Sequence, residues 1–223
     1  MQPRAGVLAL QGDFGPHRAA FARAGVEARE VRAAADLGGL THLVIPGGES
    51  TTLHHLLELF GLWATIDERH RSGRLALFGT CAGAILLGRD DGERPPRLSL
   101  LDARIRRNAY GRQIDSFTRN VVVEGLDSEL RGVFIRAPKI TGVGEGVRVL
   151  ARLDDDPILV QAPALLAATF HPELSDSPLL HRRFLTLDPR EAAASSPPRD
   201  PRESGPAPGC AASNPCSSSG ARR

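Results

Sequence analysis

The chain predicts a three-layer α/β fold: a mainly parallel sheet, helices on both of its faces, and some antiparallel additions. Three observations predict it. Short apolar runs at residues 6–10, 42–45 and 75–78 alternate with longer segments whose apolar residues recur at helical spacing. Strand–helix alternation of this kind builds a parallel sheet covered on both sides. From Ser99 onward the pattern changes to closely spaced strands, which supply the antiparallel part.

Each element has its own signal. Residues 6–10 form an apolar strand, and residues 14–24 carry helical spacing that closes at Gly25. Residues 26–31 and 42–45 are further strands. Ser50 or Thr51 can cap a helix carrying Leu53, Leu56, Leu57 and Phe60, which Gly61 ends. Residues 63–71 are helical and lead into the strand before Cys81. Strands are expected at residues 103–106, 117–123, 132–135, 147–150, 158–160 and 165–170, and a last helix at 178–187. No internal repeat is present.

Composition narrows the function. The 223 residues are 41% hydrophobic and 24% charged, an ordinary balance for a soluble globular chain. A net charge of +2 is too weak to indicate a nucleic-acid partner. The basic side is almost all arginine, with Lys139 the only lysine. Three cysteines without a secretory leader indicate a reducing, cytoplasmic setting. No run approaches the roughly 18 apolar residues of a membrane span.

The composition shifts after Leu187. Residues 188–223 are rich in Pro, Ser, Ala and Arg and lack large apolar side chains, so they are expected to be a disordered tail after a domain at residues 1–187. Cys210 and Cys216 lie in that tail with no nearby histidine, which does not make a zinc site.

The chemistry concentrates at three strand ends. Gly79-Thr80-Cys81-Ala82-Gly83 follows an apolar strand and precedes a helix, the pattern of a nucleophile elbow. Small neighbours let the turn be tight and leave the Ala82 backbone N–H facing an oxyanion. Taken alone, the pentapeptide equally suits a buried packing cysteine. His171 follows another strand directly, in "ATFHPELS", at the carboxyl edge where α/β sites form. Glu173 stands two residues on, placed to orient the imidazole. The third element, Pro46-Gly47-Gly48-Glu49-Ser50-Thr51, lies between a strand and a helix and can offer a second oxyanion donor. It lacks the spacing and lysine of a phosphate-binding loop. By itself it is also a plain glycine turn.

Other signals carry less. Gly142-Val143-Gly144-Glu145-Gly146 precedes a strand, so it is not a dinucleotide fingerprint. His54 and His55 are adjacent and point apart on a helix. Residues 154–157 read as a solvated hairpin turn. Arg106, Arg107 and Arg136 suit either a bound carboxylate or the ends of strands.

Together "GVLALQGD", "PGGESTT", "FGTCAGAILL", "RRNAYGRQIDSF", "GVFIRAP" and "FHPEL" resemble, in order, the glutaminase subunit of pyridoxal 5′-phosphate synthase, a class I (triad) glutamine amidotransferase. The resemblance spans about residues 5–187 and implies the fold of that class. It implies a triad of Cys81, His171 and Glu173, with Gly48, Glu49, Ser50, Arg107, Ile135 and Arg136 contacting L-glutamine. Ala82 and Gly48 would hold the oxyanion. Tyr110 stands where similar sequences often carry Phe, and the tail departs from the family's usual ending. The implied reaction is hydrolysis of glutamine through a cysteine thioester. The ammonia would pass to a (β/α)8-barrel synthase subunit for vitamin B6 synthesis. On that reading the chain holds no pyridoxal phosphate, metal or nucleotide itself. The alternatives are a DJ-1/PfpI-like cysteine hydrolase, against which the His-x-Glu pair and the arginine segments count, and a non-catalytic partner of the synthase.

Overall fold

The computed structural model describes residues 2–89, 97–107 and 116–195. The first half runs β1 (Ala5–Leu8), α1 (Phe14–Arg23), β2 (Arg29–Val31), β3 (His42–Ile45), α2 (Ser50–Leu59), α3 (Leu62–Arg71), β4 (Ala76–Thr80) and α4 (Ala82–Leu87). Then follow β5 (Ala103–Arg106), β6 (Phe117–Val121), β7 (Leu130–Phe134), β8 (Lys139–Val143), β9 (Arg148–Leu153), β10 (Asp156–Ala162) and β11 (Leu165–Ala168). A 3-10 turn at Pro172–Leu174 precedes α5 (Leu179–Leu185), and a second at Pro189–Glu191 precedes α6 (Ala192–Ser195).

Seven strands make the main sheet, in the order β2-β1-β3-β4-β11-β10-β9. The first five run parallel, and β10 lies antiparallel to both neighbours. Two small antiparallel pairs, β5-β8 and β6-β7, are added outside it.

Strand periodicity sorts the apolar runs into two cores. Leu8, Leu43, Ile45, Leu77, Leu165 and Ala167 point to one face, where Leu53, Leu57, Leu62, Ile66 and Leu86 cover them. Val7, Val44, Phe78, Leu166 and Ala168 point to the other, against Phe21 of α1 and Leu180 and Phe184 of α5. Every position is therefore buried, which is why these strands are continuously apolar. Large side chains such as Phe21, Phe78 and Phe184 are fully buried, each worth about 1.5–3 kcal/mol relative to exposure.

Register levels the carboxyl ends of the strands. Ile45 pairs with Gly79 and Ala168 with Thr80, and the Cys81 amide donates to the Ala168 carbonyl at 2.8 Å. The chain thus leaves β1, β3, β4 and β11 at one edge of the sheet.

Several local expectations are corrected. The helix after residue 49 is capped by neither Ser50 nor Thr51: the Glu49 carboxylate accepts from the Thr51 and Thr52 amides at 3.2 and 2.7 Å. A charged acceptor with a longer reach takes the place of the hydroxyls. Strand β8 was not expected, because Gly142 and the two glycines after it suppress the strand signal. It forms by pairing with β5, with a bulge between Arg104 and Ile105. The hairpin turn expected at residues 154–157 does join β9 and β10 but is confined to residues 154–155, with Asp154 at φ 52°, because Asp156 and Pro157 already pair within β10.

The start of the expected tail is also ordered. Asp188 caps the turn at Pro189–Glu191, and Ala192 is fully buried in the second core beside Leu187. A small apolar residue is enough here because α6 packs closely on α3. Residues 196–223, with Cys210 and Cys216, lie outside the described residues, as does most of "RRNAYGRQIDSF" (residues 108–115, Tyr110 included).

Candidate active site

Cys81 stands at the end of β4 with φ 48° and ψ −104°, a left-handed conformation that side-chain-bearing residues seldom adopt. Its strain is held by the packing around it. A side chain at Gly83 would run into the Ile45 carbonyl of the neighbouring strand, and one at Gly79 would lie 2.6 Å from the Gly83 backbone. Only glycines let the elbow fold this tightly, so the G-x-C-x-G spacing follows from backbone contact. The Cys81 thiol reaches the Ile135 carbonyl at 4.0 Å, and the Ala82 N–H opens α4 beside it.

His171 arrives from β11. It does not continue that strand: its amide donates to the Val133 carbonyl of β7 at 2.8 Å, forming an isolated bridge that fixes the ring's height. Pro172 then starts the 3-10 turn that folds Glu173 back, and His171 Nδ1 meets Glu173 Oε1 at 2.8 Å. Both residues are buried. Burial pushes the His171 pKa down, but hydrogen bonds to Cys81 and Glu173, and the charges of both, outweigh it and raise it to about 10. Burial raises Glu173, opposed by its bond to His171. The resting site therefore holds a protonated imidazole between sulfur and carboxylate.

The glycine turn completes the wall. Gly47 leaves no room for a side chain, since its Cβ would press into the His171 ring and sit 3.4 Å from the Cys81 Cβ. Gly48 has φ +142°, a conformation suited to glycine, and is exposed to the cavity. Arg107 donates to Glu49 Oε1 at 3.0 Å and to Thr51 Oγ1 at 3.2 Å, so it braces this turn. Arg136, on the opposite rim, is exposed and also strained at φ 44°.

These parts enclose a cavity of about 210 Å³, smaller than the roughly 300–1,000 Å³ of drug-sized pockets and suited to a single small metabolite. Gly48, Glu49, Ser50, Cys81, Ala82, Arg107, Ile135, Arg136 and His171 all line it. Glu173 stands behind His171, out of the cavity. The structure thus brings Cys81, His171 and Glu173 together with the residues named for glutamine, while Arg106, the other arginine weighed for a carboxylate, is exposed and does not line the cavity.

Other residues here carried no local signal. Asp13, after β1, lines the cavity with Oδ2 3.5 Å from His171 Nδ1. Gln11 clamps the glycine turn, its amide donating to the Glu49 carbonyl at 3.2 Å while its Oε1 accepts from the Glu49 amide at 3.4 Å. In the sequence the run "GVLALQGD" belonged to the family resemblance and placed Gln11, Gly12 and Asp13 at the sheet edge beside the glycine turn, without a role in the chemistry. Asp13, His171 and Glu173 have ligand atoms within 4.8 Å of one another, but the hydrogen bond between His171 and Glu173 already occupies that cluster. Among the described residues no helix is long and apolar enough to cross a membrane.

The model of the SNO glutamine amidotransferase family matches residues 7–187. The chain is 55% identical over 184 residues to a Thermus thermophilus protein named pyridoxal 5′-phosphate synthase subunit PdxT, covering 82% of this chain and 96% of that one. It is 51% identical over 188 residues to the Deinococcus radiodurans protein of the same name, with 82% and 95% covered. A solved structure described as a glutamine amidotransferase superposes with a TM-score of 0.78 at 51% identity, covering 86% of this chain and 99% of that one.

Proposed function

The chain belongs to the SNO glutamine amidotransferase family, and from that premise we propose that Cys81, His171 and Glu173 hydrolyse L-glutamine to L-glutamate and ammonia. The observation that carries this reading is the juxtaposition at one cavity of a strained elbow cysteine and a histidine bonded to a buried carboxylate at 2.8 Å.

Each step has a residue for it. The Cys81 thiolate attacks the side-chain amide carbon, and the oxyanion forms between the Ala82 and Gly48 N–H groups. His171, protonated at rest, gives its proton to the leaving nitrogen as the C–N bond breaks, and ammonia departs. The neutral ring then takes a proton from water, whose oxygen attacks the thioester. Glutamate leaves and Cys81 is restored. Glu173 keeps the ring in one tautomer and stabilises its charged form throughout. Arg107 is engaged with Glu49 and Thr51, which makes Arg136 the partner for the substrate's α-carboxylate, with the Ile135 segment and Ser50 shaping the slot.

The names of the similar proteins support a second half to the proposal: the ammonia serves a synthase partner that makes pyridoxal 5′-phosphate. We take that partner to be a (β/α)8 barrel and the setting to be cytoplasmic. Two adjacent glycines reorient at little steric cost, so the donor at Gly48 can be withdrawn until the partner docks.

Glutamate release by the full chain tests both halves. Weak release alone and about tenfold or greater stimulation by the synthase, roughly 1.4 kcal/mol of barrier, are expected, and Cys81→Ser should abolish both. No release in the presence of the synthase would leave a non-catalytic partner. Normal turnover by Cys81→Ser would remove the cysteine from the chemistry.

A further inference from the structure

Behind Glu173 lie three buried polar side chains that the mechanism above does not use: His17 of α1, Thr80 of β4 and His181 of α5. Burying polar groups is unfavourable unless hydrogen bonds compensate. Here they form a chain. His17 Nδ1 lies 2.9 Å from His181 Nε2, and His17 Nε2 lies 3.1 Å from Thr80 Oγ1. His17 Nε2 also faces Glu173 Oε2 at 3.4 Å. That oxygen is buried and has no hydrogen-bond partner among the described residues, the His17 contact being a proximity of opposite polarity rather than an aligned bond, while its sister Oε1 is taken by His171.

The placement of protons follows from satisfaction. Burial favours the neutral ring in both: it lowers His17, as would any positive charge on His181 or His171, and with the Arg23 charge it takes His181 to about 3. Suppose His17 carried its proton on Nδ1 and gave it to His181. A lone pair would then face the Glu173 carboxylate, and the His181 Nδ1–H would be a buried donor with no partner. With the proton on Nε2 the conflict disappears. His17 then donates to Thr80 with its N–H edge turned toward Glu173, accepts from His181 Nε2–H, and leaves no ring N–H of the pair unpaired.

We propose that His17, oriented by His181 and Thr80, is a positioning residue for glutamine hydrolysis: its Nε2–H edge, 3.4 Å away, faces the unpartnered outer oxygen of Glu173 and thereby helps fix the carboxylate that orients His171. Asp13 also faces His171 Nδ1, at 3.5 Å, but its side chain is 42% exposed and it brings a second negative charge near Glu173 rather than a donor for the outer oxygen. The inference rests on the glutaminase reading above and extends the triad into the core, tying the catalytic carboxylate to α1 and α5.

Two amide variants test it without emptying the site. In His17→Gln the side-chain N–H can reach the Nε2 position, whereas in His17→Asn it reaches only the Nδ1 position. Both are measured in the full chain with the synthase added, as glutamate release, and separately as the pH dependence of Cys81 alkylation by iodoacetamide, which needs no glutamine. His17→Asn is expected to lose about tenfold or more in kcat with KM little changed. Its alkylation midpoint should move up by about half a pH unit, because a loosened Glu173 supports the imidazolium less well. His17→Gln should stay within about fivefold of the parent and keep its alkylation profile. Equal kcat in the two variants, at either level, would overturn the proposal. So would unshifted alkylation in His17→Asn. If the parent chain releases no glutamate, the glutaminase reading fails, and the alkylation profiles still decide whether His17 acts on the triad.

Discussion

A methyl group added at Gly47 would occupy space that belongs to the imidazole of His171. Built on the existing backbone, it stands 3.1 Å from Nδ1, closer still to Cε1, and 3.4 Å from the Cys81 Cβ. Ordinary contact requires the ring to retreat by about 1 Å, and a misplacement of that size costs about 10²-fold in rate. If the turn gives way instead, Gly48 moves with it and an oxyanion donor is lost, a loss of about 10²–10³. Either route predicts that Gly47→Ala lowers kcat by about two orders of magnitude, close to 2.7 kcal/mol of barrier. Gly47 lies in a connecting turn outside the sheet, so the melting temperature should hardly move. The assay is glutamate release at saturating glutamine with the synthase present, paired with a thermal melt. A kcat within about threefold of the parent, at an unchanged melting temperature, would refute the claim that the turn and the ring share this space.

Two further outcomes concern stability. His17, His42, His70 and His181 all have pKa values lowered chiefly by burial, His181 to about 3 from 6.5. The unfolded chain therefore binds protons first, and stability present above about pH 6.5 is lost as the pH falls, for His181 toward about pH 3. His171, raised to about 10, acts in the other window: its contribution is complete below 6.5 and fades as the pH rises toward 10. Melts across pH should thus show a maximum near neutrality, and an unchanged melting temperature from pH 7 to pH 4 would contradict the neutral buried histidines. Ending the chain at Leu187 removes the buried Ala192 methyl, worth about 1 kcal/mol, or about 2–4 °C in a domain of this size. Ending it at Ser195 should cost nothing measurable, and equal melts for the two truncations would show that α6 contributes no stability.

The amino-acid sequence by itself determined the layers and the chemistry that local patterns encode. Residues 43–45 and 76–78 are apolar at every position because both faces are covered, so the parallel sheet could be read from the sequence pattern. Gly79, Cys81 and Gly83, and likewise His171 and Glu173, stand close enough in the chain for their spacing to carry geometry. Only the tertiary structure decided what depends on meetings between distant segments. It placed Gly47 against His171, Gln11 on the Glu49 backbone, Asp13 beside the imidazole, and Ala192 in the core. It paired β8 with β5 against a glycine-rich sequence, because ladder hydrogen bonds across the sheet outweigh weak local propensity. His17 and His181 are the clearest case. Each alone is a histidine on an amphipathic helix, and only when α1 and α5 pack on the same face of the sheet do their rings line up behind Glu173. A hydrogen bond requires both partners within about 3 Å, and sequence spacing sets such a distance only within a turn or two of the chain.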